Sequence, residues 1–278
     1  MNKQLRVFAE EIRYETLGVF EARGFGHVGG ALSVVELLSV LYGDVMKYKP
    51  ENPAWEERDR LVMSKGHAGP AVYASLALKG FFPKELLKTL NRPGTTLPSH
   101  CDMLKTPGVD MTTGSLGQGV STAVGLAIGQ KMLGQSSRTF LVVGDGECNE
   151  GQVWEGLMLA AHRKLDNLIV FCDQNGQQLD GYVKDVLDTG DLSKKFESFG
   201  FFTQTINGHD IGAIEAAVAA ALENKGSPSM IVLKTSKGHE CAFVEGHESN
   251  HHVAFKQEQM DEALAHSKKL LDAARAAI

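Results

Sequence analysis

The stretch from Phe140 to Gly181 constrains this chain more than any other. It opens on an apolar run, Phe140–Val143, that reads as a buried strand, and breaks at Gly144-Asp145-Gly146. A helical segment from about Glu150 to Lys164 follows, then a second apolar run, Leu168–Cys172. Strand, helix and strand at this spacing make a βαβ unit, which requires a parallel sheet. Asp145 follows the first strand and Asn175 the second, about thirty residues apart. Open parallel sheets bind ligands at the carboxyl ends of their strands. Two oxygen donors there, beside a glycine turn that lets a diphosphate approach the backbone, suit Mg2+ holding a diphosphate. Asp-Gly and Asn-Gly are also ordinary turn signals, so the stretch alone leaves both readings open.

Composition narrows the class. A chain of 278 residues with an apolar fraction of 43% can bury the core of one α/β layer structure, residues 1–278 as a single domain. A net charge of −6 offers no basic field to nucleic acid. The four cysteines (Cys101, Cys148, Cys172, Cys241) are scattered, with no CxxC, which reads as reduced, buried thiols of a cytoplasmic protein. MNKQLRVFAEEIRYE is amphipathic and mixed in charge, unlike a signal peptide, and no apolar run reaches the roughly 18 residues of a membrane span.

Along the chain, Leu5, Phe8, Ile12 and Val19 give residues 3–20 one apolar helical face. A glycine-rich turn, Arg23–Gly30, carries His27, and Ser33 with Glu36 has capping-box spacing before the next helix. The run Leu61-Val62-Met63 halts at Ser64-Lys65-Gly66-His67, then turns into the helical AVYASLALKG. Prolines at 83, 93, 98 and 107 keep residues 81–110 irregular, and His100 falls there. Met111–Gly119 leads a helix of small residues, and its glycines offer backbone N–H groups to an anionic or polar ligand. Residues 180–191 read as a polar loop, 192–199 as a short helix, 201–206 and 230–235 as strands, and 211–224 as a helix between them. Residues 236–252 hold four histidines without regular structure or a compact zinc spacing, and the last twenty residues form an amphipathic helix.

Taken together, these motifs resemble the N-terminal, diphosphate-binding half of transketolase, a thiamine diphosphate (ThDP) enzyme that moves two-carbon ketol units between sugars. The resemblance rests on Gly26-His27-Val28-Gly29-Gly30, Ser64-Lys65-Gly66-His67, Thr112–Gly119, Gly144-Asp145-Gly146 through Glu150-Gly151, Asp173-Gln174-Asn175-Gly176 and Leu179-Asp180-Gly181. Six motifs in the family's order cover essentially the whole chain. The resemblance implies a three-layer α/β/α ThDP-binding fold with a central parallel sheet. It further implies Mg2+ (or Ca2+) on Asp145, Asn175 and the carbonyl of Gln177, with Gly144, Gly146 and Glu147 around the diphosphate. Leu179 and Leu116 would pack on the cofactor's two rings, with Gly114, Ser115, Glu150 and His67 also in contact. His27, His67 and His100 would serve the reacting sugar atoms, and one of His251 and His252, taken as His252, would reach the cofactor's diphosphate or the substrate. Glu150 and Glu155 match acids near the family's subunit interface.

Where the family often has a second acid or Asn before the ligating Asn, this chain has Gln174. A full transketolase also continues with a pyrimidine-binding domain that supplies the cofactor-activating glutamate and most groups that hold the sugar phosphate. The expectation is therefore a split enzyme: this chain with a C-terminal transketolase subunit, in a heterotetramer with two copies of each. The alpha subunit of a 2-oxo acid dehydrogenase, also split, shares GDG…N but not the Ser-Lys-Gly-His and Thr-Thr-Gly-Ser-Leu-Gly-Gln-Gly motifs. Deoxyxylulose phosphate synthase shares the metal motif on one long chain. A non-catalytic partner of such a complex is disfavoured by the joint presence of Asp145, Asn175, His27, His67 and His100. A Rossmann dinucleotide protein is excluded, since no GxGxxG opens a helix after the first strand.

Overall fold

Five parallel strands form the central sheet of the computed structural model, which describes residues 2–248 and 250–278. The chain begins with α1 (Lys3–Glu21), a short β1 (Phe25–Gly26), α2 (Val28–Leu32) and α3 (Val35–Val40). The first sheet strand, β2 (Arg60–Met63), is followed by α4 (Gly69–Leu78) and α5 (Gln118–Met132). The βαβ unit read from the sequence is β3 (Thr139–Gly144), α6 (Gly151–His162) and β4 (Leu168–Gln174). Next come a small hairpin, β5 (Gln177–Gln178) with β6 (Gly181–Tyr182), and the helices α7 (Val183–Val186) and α8 (Leu192–Ser198). Strand β7 (Phe202–Asn207), α9 (Ile211–Glu223) and β8 (Ser229–Lys234) complete the sheet. Strand β9 (Val253–Ala254) pairs antiparallel with β1, and α10 (Gln257–Ala276) follows.

The sheet order is β2-β3-β4-β8-β7, and every neighbouring pair is parallel. Side chains alternate between faces along each strand. Phe140, Val142, Ile169, Phe171, Ile231 and Leu233 pack with α1 to α4, α9 and α10. Leu141, Val143, Leu168, Val170, Met230 and Val232 pack with α5, α6 and α8. Because both faces are covered, the central strands read as unbroken apolar runs rather than alternating ones. The result is the three-layer α/β/α arrangement that the resemblance implied. All four cysteines are buried and free.

Local capping follows the polar residues. Asn2 accepts from the Gln4 N–H ahead of α1, Asp191 from Lys194 ahead of α8, and Asp210 from Ala213 ahead of α9. Gly117 caps α5 with φ of 80°, a left-handed backbone that favours glycine.

Three sequence expectations change. Ser33 and Glu36 form no capping box: Ser33 Oγ donates to Asp173 at 2.7 Å, and Glu36 pairs with buried Arg13. Both side chains are fully buried, where charged partners outweigh a backbone cap. The Arg23–Gly30 turn is interrupted, because Phe25–Gly26 pairs with β9 and α2 starts at Val28 with His27 at its N-cap. The 180–191 loop also contains β6 and α7.

Phe171 is fully buried on a central strand and stacks on Phe140 with 6.4 Å between centroids. Phe171→Ala should therefore destabilise the chain by roughly 3–5 kcal/mol, measured as a lower urea midpoint at unchanged slope.

Candidate functional site

The carboxyl ends of β2, β3, β4 and β8 lie along one edge of the sheet, and each is followed at once by polar residues. Ser64-Lys65-Gly66-His67 follows β2, Asp145 follows β3, Asn175 follows β4, and Thr235-Ser236-Lys237 follows β8. They surround a cleft of about 190 Å3 whose floor is polar and whose mouth carries Leu116 and Leu179.

Asp173, the penultimate residue of β4, anchors the floor and is fully buried. Its Oδ2 accepts from the Lys65 ammonium, from Ser33 Oγ at 2.7 Å and from Asn175 Nδ2 at 2.9 Å, while Thr235 Oγ1 donates to Oδ1. Burial pushes this carboxyl upward, but Lys65 and the surrounding donors hold it below its ordinary value. Asn175 spends an amide N–H on Asp173, which leaves Oδ1 as its acceptor, taken among the described residues only by the Gln177 N–H at 3.1 Å.

Asp145 is 2% exposed. Its oxygens accept the backbone N–H groups of Gly146 at 2.9 Å and Gly176 at 2.6 Å. Burial first, and then the Asp173 carboxylate, lift its pKa to about 7. Among the described residues no cation forms an ion pair with it, which is the situation a bound metal relieves. Asp145, Asn175 Oδ1 and a backbone carbonyl are hard oxygen donors, and they fit Mg2+ or Ca2+.

Glu147 braces the same edge. Its Oε1 accepts from the Gly117 N–H at 2.8 Å and from Ser64 Oγ, and its Oε2 from the Gly144 N–H at 3.0 Å. One carboxylate thus ties the loop after β2 and the start of α5 to the turn after β3. Two close approaches require glycine. A Cβ on Gly66 would lie 2.7 Å from the Thr113 carbonyl, and one on Gly30 would lie 2.7 Å from the His67 ring.

Five histidines gather at the mouth. The His27 ring centroid lies 5.6 Å from His67, 5.3 Å from His100, 5.2 Å from His251 and 4.8 Å from His252. Burial, followed by neighbouring His251, His100 and His252, drives the His27 pKa to about 3. Burial and then Lys237 and Lys65 bring His251 to about 4, and burial and Lys65 hold His67 well below its usual value. Burial also lowers His100. These four imidazoles are therefore neutral at pH 7, each with one N–H to give and one bare nitrogen.

The structure brings most of the sequence-predicted residues together. His67, Leu116, Gly144, Asp145, Gly146, Glu147, Glu150, Asn175, Gln177 and Leu179 all line the cleft. Gly114 lies against the His100 ring, and Ser115 is exposed and outside the cleft lining. Of the histidine pair, His251 lines the cleft and meets Lys237 Nζ at 3.4 Å, whereas His252 packs on Phe25 and His27. Glu155 is exposed on α6. The sequence reading missed Lys65, Asp173 and Lys237 as site residues. Lys65 and Asp173 were available as charges abutting apolar runs that must be buried, but Lys237 stands in the irregular 236–252 tract without such a signal.

Comparison with known proteins gives the same direction. Residues 5–269 match the family described as transketolase, thiamine diphosphate binding domain. The chain is 51% identical over 261 residues to the 6-deoxy-6-sulfo-D-fructose transketolase subunit SqwG of Clostridium sp. (strain MSTE9), covering 94% of this chain and 95% of that one. It is 40% identical to an apulose-4-phosphate transketolase subunit of Actinobacillus succinogenes, over 87% of this chain and 88% of that one. The solved transketolase of Campylobacter jejuni superposes with a TM-score of 0.89 at 32% identity, covering 96% of this chain but 43% of that longer one.

The raised Asp145 pKa gives a test with a definite sign. A carboxyl whose folded pKa lies near 7, above its unfolded value near 4, binds its proton more tightly when folded. It therefore subtracts stability progressively as pH rises from about 4 to 7. In chelator-treated protein, Asp145→Asn should flatten part of the loss of thermal stability between pH 5 and pH 8. It should also abolish the stabilisation that Mg2+ gives the wild type. Identical pH profiles for variant and wild type would remove the carboxylate from this role.

Proposed function

The chain belongs to the transketolase family through its thiamine diphosphate-binding domain, and we propose that it is the diphosphate-binding subunit of a split transketolase. The observation that carries the reading is the convergence of Asp145, Asn175, Lys65 and Lys237 at the ends of four parallel strands, under a ring of neutral histidines. In this reading residues 1–278 act as one ThDP-binding domain.

Asp145, Asn175 Oδ1 and the Gln177 carbonyl would hold Mg2+ (or Ca2+), and the metal would hold the diphosphate. The ammonium groups of Lys65 and Lys237 face the same cleft and offset the diphosphate's remaining charge. Burial and then neighbouring Lys65 lower the Lys237 pKa to about 8, so an incoming anion also restores its full protonation. When bound, the cofactor supplies a nucleophilic carbon and an electron sink for breaking the bond beside a ketose carbonyl. Leu116 and Leu179 exclude water from its rings. The imidazoles of His27, His67, His100 and His251 or His252 donate N–H groups to the sugar's carbonyl and hydroxyl oxygens. Their bare nitrogens accept protons as those oxygens change charge. Burial above all keeps His27, His67, His100 and His251 neutral, so any one of these takes a proton only briefly.

The relatives' names describe subunits, which supports a partner chain. We assign that partner the pyrimidine-binding half and a heterotetramer with two copies of each chain. The named substrates of those relatives are a sulfonated ketose and a ketose phosphate, so the donor here is taken as a ketose with an anionic terminal group. Sugar phosphate acceptors, a pentose phosphate type of carbohydrate metabolism and a cytoplasmic setting complete the reading. Among the described residues no helix is long and apolar enough to cross a membrane.

Co-expressed with its partner subunit, the chain should show ketol transfer that requires both ThDP and Mg2+, while the chain alone turns over nothing. Asp145→Ala should reduce the rate at least about a hundredfold at millimolar Mg2+, in line with a lost metal ligand. Full activity of that variant would refute the metal assignment, and turnover by the isolated chain would refute the division of the site between two chains.

A further inference from the structure

Arg13, Glu36, His209 and His239 form a part-buried array outside the cleft lining already described. Arg13 and Glu36 are fully buried. The guanidinium pairs with Glu36 Oε1, and it donates to the His239 carbonyl at 2.9 Å. Glu36 Oε2 lies 3.0 Å from His209 Nδ1, and His209 Nε2 lies 2.8 Å from the Ser236 backbone N. The His209 and His239 rings stack with 3.6 Å between centroids.

The backbone fixes the tautomer. A peptide N–H can only donate, so the Nε2 that receives Ser236 is bare and Nδ1 carries the ring proton. That proton points at the carboxylate that Arg13 already holds ionised. The Glu36, His209 and His239 ligand atoms lie close enough to suggest a metal site. Arg13 places its charge on that same carboxylate, and both His209 nitrogens are engaged, so the arrangement serves positioning instead.

What it positions is the segment entering the cleft from β8. Thr235 is held by Asp173, the Ser236 N–H by His209, the Gly238 N–H by the Gly29 carbonyl at 3.0 Å, and the His239 carbonyl by Arg13. Lys237 lies between these ties with its side chain among the cleft-lining residues. Gly208, just before His209, is pressed so close to Thr235 that a Cβ would lie 2.5 Å from its methyl group. The loop carrying His209 therefore has no slack against the segment it grips.

We propose that His209 is a positioning residue: through its bond to the Ser236 N–H, backed by Glu36 and Arg13, it sets the backbone that aims Lys237 at the bound diphosphate. This rests on the reading of the cleft as the ThDP site. His209 touches neither substrate nor cofactor, and its effect is on cofactor affinity.

Three measurements on the whole chain test this. Nitrogen-15 NMR of the wild type should find His209 protonated at Nδ1 and bare at Nε2, and an Nε2–H tautomer would overturn the proposal without any variant. In His209→Leu, amide deuterium uptake over residues 235–239 should accelerate while the strands keep wild-type protection. In His209→Gln, whose amide offers both an acceptor and a donor, uptake should return towards wild type. In the complex with the partner subunit, the Leu variant should bind ThDP with Mg2+ about tenfold more weakly, the scale of one lost hydrogen bond to an ordered backbone. The Gln variant should stay within about threefold, and kcat at saturating cofactor should be unchanged in both. Wild-type exchange and affinity in the Leu variant would overturn the proposal. A wild type that binds no ThDP, with tautomer and exchange as expected, would instead refute the cofactor reading and leave the grip on Ser236 standing.

Discussion

The site depends on the buried pair of Lys65 and Asp173. Lys65 comes from the loop after β2, and Asp173 from the end of β4, with β3 between them in the sheet. Ser33 from the turn between α2 and α3, Thr235 from the end of β8 and Asn175 from the next loop all spend polar groups on the same carboxylate. Three stretches distant in sequence, together with Asn175 two residues on, thus converge on one fully buried charge. Removing either partner would leave an uncompensated buried charge, which is among the most destabilising single changes available to a protein. The pair therefore fixes the relative positions of the strand ends on which everything else is mounted.

From that pair the electrostatics of the cleft follow. Asp145 is buried and lies within reach of Asp173's charge, and its carboxyl holds its proton more readily than usual. Lys237 is buried and lies within reach of Lys65's charge, and its ammonium is deprotonated more readily than usual. Asp145 and Lys237, an acid and a base each discouraged from ionising by burial and then by a like neighbour, are poised for a ligand that brings both signs together. A divalent metal with a diphosphate is such a ligand. The histidines above behave similarly: burial first, and for all but His100 then charged or titratable neighbours, keep His27, His67, His100 and His251 neutral donors and acceptors.

Much of this was legible in the sequence. The βαβ unit, its acid and amide at the strand ends, and the glycine-bounded histidine loops announce themselves because strand period, turn chemistry and helix capping are local properties. What escaped was set by distant contacts. Ser33 and Glu36 have capping-box spacing, yet one bonds to Asp173 and the other to Arg13, partners that only the fold supplies. Asp173 reads as the polar end of a strand until the sheet places Lys65 against it. Lys237 and His209 lie in tracts where no periodicity distinguishes a buried polar side chain from a solvated one. The choice between His251 and His252 was likewise open to sequence, and backbone course separates them: one ring lines the cleft and the other packs on Phe25.

The central claim is that Asp145 and Asn175 hold a divalent cation that in turn holds the cofactor's diphosphate. The most direct measurement is a crystal structure of the complex with its partner subunit grown with ThDP and Mn2+, with anomalous scattering recorded for the metal. The account predicts one anomalous peak about 2.0–2.3 Å from Asp145, Asn175 Oδ1 and the Gln177 carbonyl, and in contact with two diphosphate oxygens. ThDP bound with no metal at Asp145, or the metal bound elsewhere in the cleft, would contradict it.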